Sequence, residues 1–523
     1  MVETGAISNE LKKLLRHSSH YLAGLLGAMA LGFVSFPIFT RVFSVADYGT
    51  IDFVQKILLV LIAVSKMGTQ NSALRFYDPR GFAADPQAAY RYYSTMFYGM
   101  ALTAGGVSIL FLAGVALAPA AWVSPPLAML LYLVAALIFL RAMDSILWSF
   151  LRIEERTKAY NILSVATKGA TIAAVCILLP LAGRSPRTFF LGMTLSEAAL
   201  AGGLGVWLAS RRLLHLKSFD WGLFKTAVAF GTPLVIYEIA FTALLAGDRV
   251  LVRHYLGANA LGYYSVAYGL SFYVNDLLIA PLNLALLPIY LRLWAAEGRA
   301  RTIEFLTLGL DLFCMVAVGV FVAAAATSRD AVVLLASAKY SGAGSLMPML
   351  VAGLLIYTTH IFLSAGLLIQ KNTREMAKLL LYSAALNIGL NCLLLPRMGL
   401  IAAPLVTLVS NTFCVLLLGR ASFKFLPLRI PLGKLAGYGL AGLVAWGAAA
   451  SVEAGSVFLN VALKGALAVL VYLGMLYILE SRARNFAALI VSRWRPRASS
   501  LAAEGCGEPV AAGSGAPVAA VER

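Results

Sequence analysis

From Tyr21 to Leu479 the chain is an almost unbroken series of apolar runs, each about twenty residues long, parted by short segments that hold most of its lysines and arginines. A helix of roughly 20 residues covers the ~30 Å hydrocarbon layer of a bilayer, and inside that layer it satisfies every backbone polar group by itself. Hydrophobic residues make up 60% of the 523 and charged residues only 13%, where a soluble domain carries roughly a quarter charged residues. A β-barrel would show short alternating segments instead of long apolar runs. The fold class that follows is an all-α polytopic membrane protein of about fourteen transmembrane helices, counted from these runs.

The runs group as six between Tyr21 and Ser210, six between Phe224 and Ser422, and two between Leu432 and Leu479. The expected organisation is a cytoplasmic segment over 1–19, a six-helix lobe over 20–215, a second over 216–425, and two further helices over 426–480. A basic, low-complexity tail of Ala, Gly, Pro and Glu over 481–523 lacks the apolar content to build a core. The first run exceeds a signal-peptide core and has no cleavage site after it, so it reads as the first membrane helix.

The formal charge of +18 would suit nucleic acid if it were concentrated on one domain; here it is divided among the loops. With the N-terminus cytoplasmic, inner segments collect 29 basic residues and outer segments 8. An omitted or invented helix would invert every later loop, so this asymmetry supports the helix count and places both termini in the cytoplasm. The cysteines and histidines are scattered, with no spacing that would build a metal site or a disulfide framework. No phosphate-binding glycine loop is present and no outer loop is long enough for a catalytic domain, so no enzyme chemistry and no cofactor is expected.

Two stretches echo one another. Arg41 is followed eight residues later by Gly49 and the helix start TIDFVQ; Arg253 is followed nine residues later by Gly262 and YYSVAY. Each closes the first helix of a six-helix block and opens the second. A parallel repeat of this kind points to a transporter with its site between the halves.

Charge inside a bilayer is costly and usually faces a bundle interior or a watery cavity. Asp52 with Lys56, and Arg141 with Asp144, have the spacing of local ion pairs. Lys168 shares a stripe with Asn161, Ser164 and Thr171 and has no carboxylate within a turn; it either snorkels to the interface or faces a cavity. Within the spans Arg41, Lys56, Lys66, Arg141, Lys168, Arg249 and Arg253 outnumber Asp52, Asp144, Glu238 and Asp248, which points to an anionic substrate. Tyr264, Tyr268, Ser271 and Asn275 form a stripe suited to sugar, with Tyr264, Tyr268 and Asn275 the contact candidates. Asn387, Asn391, Thr407 and Asn411 suit hydrogen bonds between helices. Asp52, Asp144, Glu197, Glu238, Asp276 and Asp311 are the candidates for coupling to a proton or other cation.

The segments FTRVFSVADYGTIDFVQKILLVL, GTQNSALRFY, GDRVLVRHYLGANALGYYSVAY, LLASAKYSGAGSLMPMLVAGLL and GLLIQKNTREMAKLLLYSAALNIGLNCLLLPRMGLIAAPLVTLVSNT, in this order and spacing, resemble the Wzx-type polysaccharide and O-antigen flippases of the multidrug/oligosaccharidyl-lipid/polysaccharide (MOP) exporter superfamily. The resemblance spans about Leu11 to Leu479. It implies two six-helix lobes and two further helices around a cationic cavity. It also implies movement of undecaprenyl-diphosphate-linked oligosaccharide across the bacterial inner membrane by alternating access, for O-antigen, capsule or exopolysaccharide. Arg41, Arg253 and Arg75 match its basic cavity. Expected partners are the lipid-linked oligosaccharide, membrane lipid, a polysaccharide polymerase and a chain-length regulator; nucleic acid is not among them. A drug/cation antiporter of related architecture would call for an acidic cavity, and a polymerase or ligase for a sizeable outer loop.

Overall fold

The computed structural model describes residues 27, 29–119, 125–480 and 484. The expected N-terminal segment and nearly all of the expected tail lie outside the described residues.

The described chain is helical throughout its ordered elements, from α1 (Met29–Val42) to the last helix at Leu479, with no strand. The first half continues with α2 (Val45–Lys66), α3 (Thr69–Phe76), α4 (Pro79–Ala84), α5 (Pro86–Leu117), α6 (Pro125–Ile153), α7 (Thr157–Ala182) and α8 (Pro186–Ser210). The second half holds α9 (Trp221–Ala296), α10 (Gly298–Leu335), α11 (Met347–Thr358), α12 (His360–Leu363), α13 (Ala365–Ile369), α14 (Thr373–Met398) and α15 (Ala402–Phe423); α16 (Leu432–Ala450) and α17 (Val457–Leu479) follow.

The breaks are written locally in the sequence. Ser44 caps α2 by accepting from the Asp47 amide, and Asp47 places a negative charge in the first turn, where the helix dipole favours it. At the other end Met67 and Gly68 are left-handed and stop the helix. Ser185 with Pro186, and Asp85 with Pro86, begin α8 and α5 in the same economical way. The 76 residues of α9 are two rods, because Gly257 (φ 82°, ψ −177°) is non-helical and in a region that an L side chain rarely enters. A bend of 54° lies between Ala338–Ser345 and the helix that follows.

Nine helices among the described residues are long and apolar enough to cross a membrane, ten if the bent pair is one span. With the shorter α1, the second limb of α9 and α16 added, and α14 separated from α15, the described helices form six rods (α1, α2, α5–α8), six more (the two limbs of α9, α10, the bent α11–α13, α14, α15) and two last ones (α16, α17). This is an all-α polytopic membrane protein.

The buried apolar residues divide along the chain as well. Two clusters, around Phe150 and Phe190, come from residues up to Ala227. Two others, around Tyr340 and Tyr357, come almost wholly from α9–α15 and the segments beside them. A fifth joins α16 and α17 to α10. Leu110, Ile177, Val206, Leu443 and Leu470 stay exposed on outer faces, as expected where the solvent is hydrocarbon.

Candidate functional site

A cavity of about 580 Å³ opens among α1, α2, α6, α7 and α8, with Tyr273 of α9 reaching in from the second half. That volume lies within the ~300–1,000 Å³ of ordinary ligand sites. Helical spacing builds its walls. On α6, Arg141, Asp144, Ser145 and Trp148 face inward as one stripe; on α7, Ser164, Thr167, Lys168 and Thr171 do the same. From α2 come Tyr48, Asp52, Gln55 and Lys66, and from α8 Glu197.

The basic groups differ in what holds them. Arg141 donates to Glu197 through Nε (3.0 Å) and a terminal nitrogen (2.9 Å). The local pair expected between Arg141 and Asp144 is therefore replaced by a bridge from α6 to α8, formed because the folded helices place a better-oriented carboxylate opposite the guanidinium. Lys66 reaches Glu238 of α9 at 2.8 Å. Lys168 makes no ion pair among the described residues. Its ammonium and the Tyr273 hydroxyl lie 3.6 and 3.4 Å from the point where a Cβ on Gly32 would stand, so Gly32 of α1 is packed beside both.

Several expected site residues stand elsewhere. Arg249 is buried between Asp52 (2.9 Å) and Asp248 (3.2 Å), with its guanidinium 4.0 Å from the centre of the Tyr268 ring. Tyr264 donates to Asp248, and the Asn275 side-chain oxygen accepts from Thr358 at 2.7 Å. Tyr264, Tyr268 and Asn275 are thus buried outside the cavity wall, the two tyrosines in a network with Arg249 and Asp248. Lys56 pairs with Asp52 at 3.5 Å, as its spacing implied, and does not line the cavity. Asp311 accepts from Lys434 (2.6 Å) and Tyr438 (2.8 Å), which pins α16 to α10. Asp276, half-buried on α9, also lies outside the wall. The excess of cations counted along the spans is absent from the wall itself, where Lys66, Arg141 and Lys168 meet Asp52, Asp144 and Glu197.

Arg41, Arg253 and Arg75 are outside the wall too, and their positions give them another role. Arg41, at the end of α1, donates to the carbonyls of Leu334 (2.7 Å) and Leu335 (3.0 Å) at the end of α10. Lys339, just past α10, donates back to the carbonyls of Arg41 (3.2 Å) and Phe43 (2.6 Å). Each half thus caps a helix C-terminus of the other with a cation, where orphan carbonyls and the helix dipole both favour one. Beside this clasp Arg253 donates to Thr50 at 3.0 Å and lies over the Phe53 ring.

The two glycines of the repeated stretches also meet here. A Cβ on Gly49 would stand 2.4 Å from the Ala258 carbonyl oxygen and 2.7 Å from the Gly262 nitrogen; one on Gly262 would stand 2.1 Å from the Val45 carbonyl oxygen. Contact this close joins backbone to backbone. The opposite end of α2 is held in the same manner. Gly68 abuts Gly231, Ser72 donates to the Ala227 carbonyl at 2.6 Å, and Arg75 lies 5.3 Å from the centre of the Phe230 ring. The halves therefore touch at both ends of α2, with the cavity alongside its middle.

Sequence reasoning missed Trp148, Tyr48 and Tyr273 as wall residues. Trp148 carried a signal, standing four residues beyond Asp144 on the Arg141 face; Tyr273 carried none, because only the docking of the halves brings it in.

Residues 14–294, more than half of the 523, match the family described as polysaccharide biosynthesis protein. The chain belongs to that family. A protein of the Lsg locus of Haemophilus influenzae is 22% identical over 296 residues, covering 53% of this chain and 66% of that protein, just under two thirds of its length. Among solved structures, the lipid II flippase MurJ in an inward closed conformation superposes with a TM-score of 0.69 at 15% identity, over 90% of this chain and 99% of that one. An inward-facing multidrug resistance MATE family transporter of the MOP superfamily gives 0.59 at 13% identity, over 78% and 99%. At these identities the likeness is one of fold. This family member therefore shares its fold with both of these proteins.

Proposed function

We propose that this protein is a flippase that carries a diphosphate-linked oligosaccharide across the bacterial inner membrane, both termini cytoplasmic, for surface polysaccharide assembly. The observation that carries the reading is the cavity within the bundle, lined by Lys168, which has no carboxylate partner among the described residues, together with Tyr48, Trp148 and Tyr273. An unpaired ammonium in a low-dielectric chamber attracts an anion strongly. Aromatic faces pack on the C–H faces of sugar rings, and the Tyr273 hydroxyl can exchange hydrogen bonds with sugar hydroxyls. The polyprenyl tail stays in the bilayer, where its transfer costs nothing, while the headgroup is shielded by protein.

Lys168 and Arg141 hold the diphosphate in this scheme. Arg41, Arg253, Arg75 and Lys66 join the halves at the two ends of α2, and alternating access consists of opening one end while the other stays closed. Membership of the polysaccharide biosynthesis family and the fold shared with a lipid II flippase support the reading. A cationic drug would be repelled by Lys168.

The test is made in cells lacking the protein, by extracting polyprenyl-linked lipids and determining which membrane face displays their sugars. Accumulation on the cytoplasmic face, relieved by the wild-type gene and not by Lys168→Ala, is expected. Normal translocation with unpolymerised units outside would reject flipping in favour of a polymerase.

A further inference from the structure

Asp144 lines the cavity, is 4% exposed, and receives a hydrogen bond at neither carboxylate oxygen from any donor among the described residues. Its close neighbour is the carboxyl of Glu197, itself held by Arg141. Two ionised carboxylates in contact repel, and away from water they have no donor to place between them. A single shared proton converts that repulsion into a hydrogen bond. It also sets the local charge, since one proton on the pair leaves one negative charge for the arginine to balance.

The other charged groups facing this space are Asp52 and Lys66 from α2 and Lys168 from α7; Tyr48 and Tyr273 are the titratable neutral ones. Asp52 is already engaged by Arg249 and Lys56, and Lys66 by Glu238. The balance around Lys168 is therefore decided by Arg141, Glu197 and Asp144. We propose that Asp144 and Glu197 hold one proton between them before the headgroup binds, and take up a second from water when an anionic headgroup draws Arg141 off Glu197. This rests on the flippase reading for the nature of the headgroup. With one proton on the pair, Arg141 and Lys168 together leave one net positive charge; with two protons they leave two, which match a diphosphate. The guanidinium exchanges a carboxylate for a phosphate oxygen, and the vacated carboxylate is neutralised instead of being left bare in the bundle. Binding is therefore tighter at lower pH and weakens as pH rises, and the proton leaves as Arg141 returns to Glu197.

Two measurements on the purified full-length protein test this. In infrared spectra without ligand at neutral pH, the wild type should show a protonated-carboxyl C=O stretch that is lost in Asp144→Asn, which removes one partner of the shared proton and leaves the salt bridge of Arg141 to Glu197. A spectrum unchanged by that substitution would overturn the shared proton. Titration with farnesyl diphosphate is then followed by calorimetry in buffers of differing ionisation enthalpy. The wild type should take up about one proton more per ligand bound than the Asp144→Asn/Glu197→Gln variant, because the ligand's own ionisation is common to both. Equal proton counts would overturn the linkage. Farnesyl diphosphate that fails to bind the wild type would remove the anionic-headgroup reading, and the infrared result would still decide the shared proton.

Discussion

Replacing Gly262 by valine drives a wedge into the contact that closes the Arg41 end of the molecule. Its Cβ would stand 2.1 Å from the Val45 carbonyl oxygen, and the facing Gly49 has no slack, since a Cβ there would be 2.4 Å from the Ala258 carbonyl oxygen. Ordinary carbon contacts sit near 3.5–4.0 Å, so α2 and α9 have to separate by more than an ångström. Both clashing atoms are backbone and cannot rotate away. Overpacking of this kind costs about 1–3 kcal/mol, which removes a factor of roughly 5–150 from the population closed at that end. The clasp of Arg41 and Lys339 is strained by the same displacement. Spin labels in a cysteine-free background, at Arg184 between α7 and α8 and at Ser341 beyond α10, read the separation of the halves by pulsed electron resonance. The variant should gain a longer distance and lose export while remaining monodisperse. Gly439→Val is the control, because a Cβ there meets no atom within 4 Å. An unaltered distance distribution with full export in Gly262→Val would refute the assignment of this contact as a closed gate.

Lys168→Ala should weaken farnesyl diphosphate binding about ten- to a hundredfold, the worth of one charge-assisted hydrogen bond, with Lys168→Arg recovering most of it in the same titration. Arg41→Ala together with Arg253→Ala should abolish export at normal protein levels through loss of closure, so that farnesyl diphosphate affinity falls far less than in Lys168→Ala; an equal fall would return both arginines to the cavity. Asp311→Ala removes the carboxylate shared by Lys434 and Tyr438, and should lower the melting temperature in detergent by breaking charge-assisted hydrogen bonds worth about 1–3 kcal/mol, since Lys434 is itself partly exposed. An unchanged melt would show that α16 is docked by its apolar face alone.

The class, the rod count and the rhythm of breaks needed no tertiary information. Apolar runs of bilayer length fix the solvent, and Ser44, Pro86, Pro186 and Gly257 start or stop helices through interactions within a few residues of themselves. The stripe carrying Ser164, Lys168 and Thr171 was legible for the same reason, because residues three and four apart share a helix face whatever the helix packs against. Even the repeated glycines announced that two like stretches existed.

What those stretches were for was decided only by packing. Charge in an apolar run says that something polar lies opposite, but not whether it is a cavity, a carboxylate on another helix or a row of carbonyls. Arg141 found Glu197, Arg249 found Asp52, and Arg41 found the end of α10, each partner more than fifty residues away. The sequence counted seven cations and assigned them to one cavity; the tertiary structure divided them between its wall, a buried network and the closures at the two ends of α2, because a charge in a low-dielectric interior settles wherever the fold brings it the nearest compensating group.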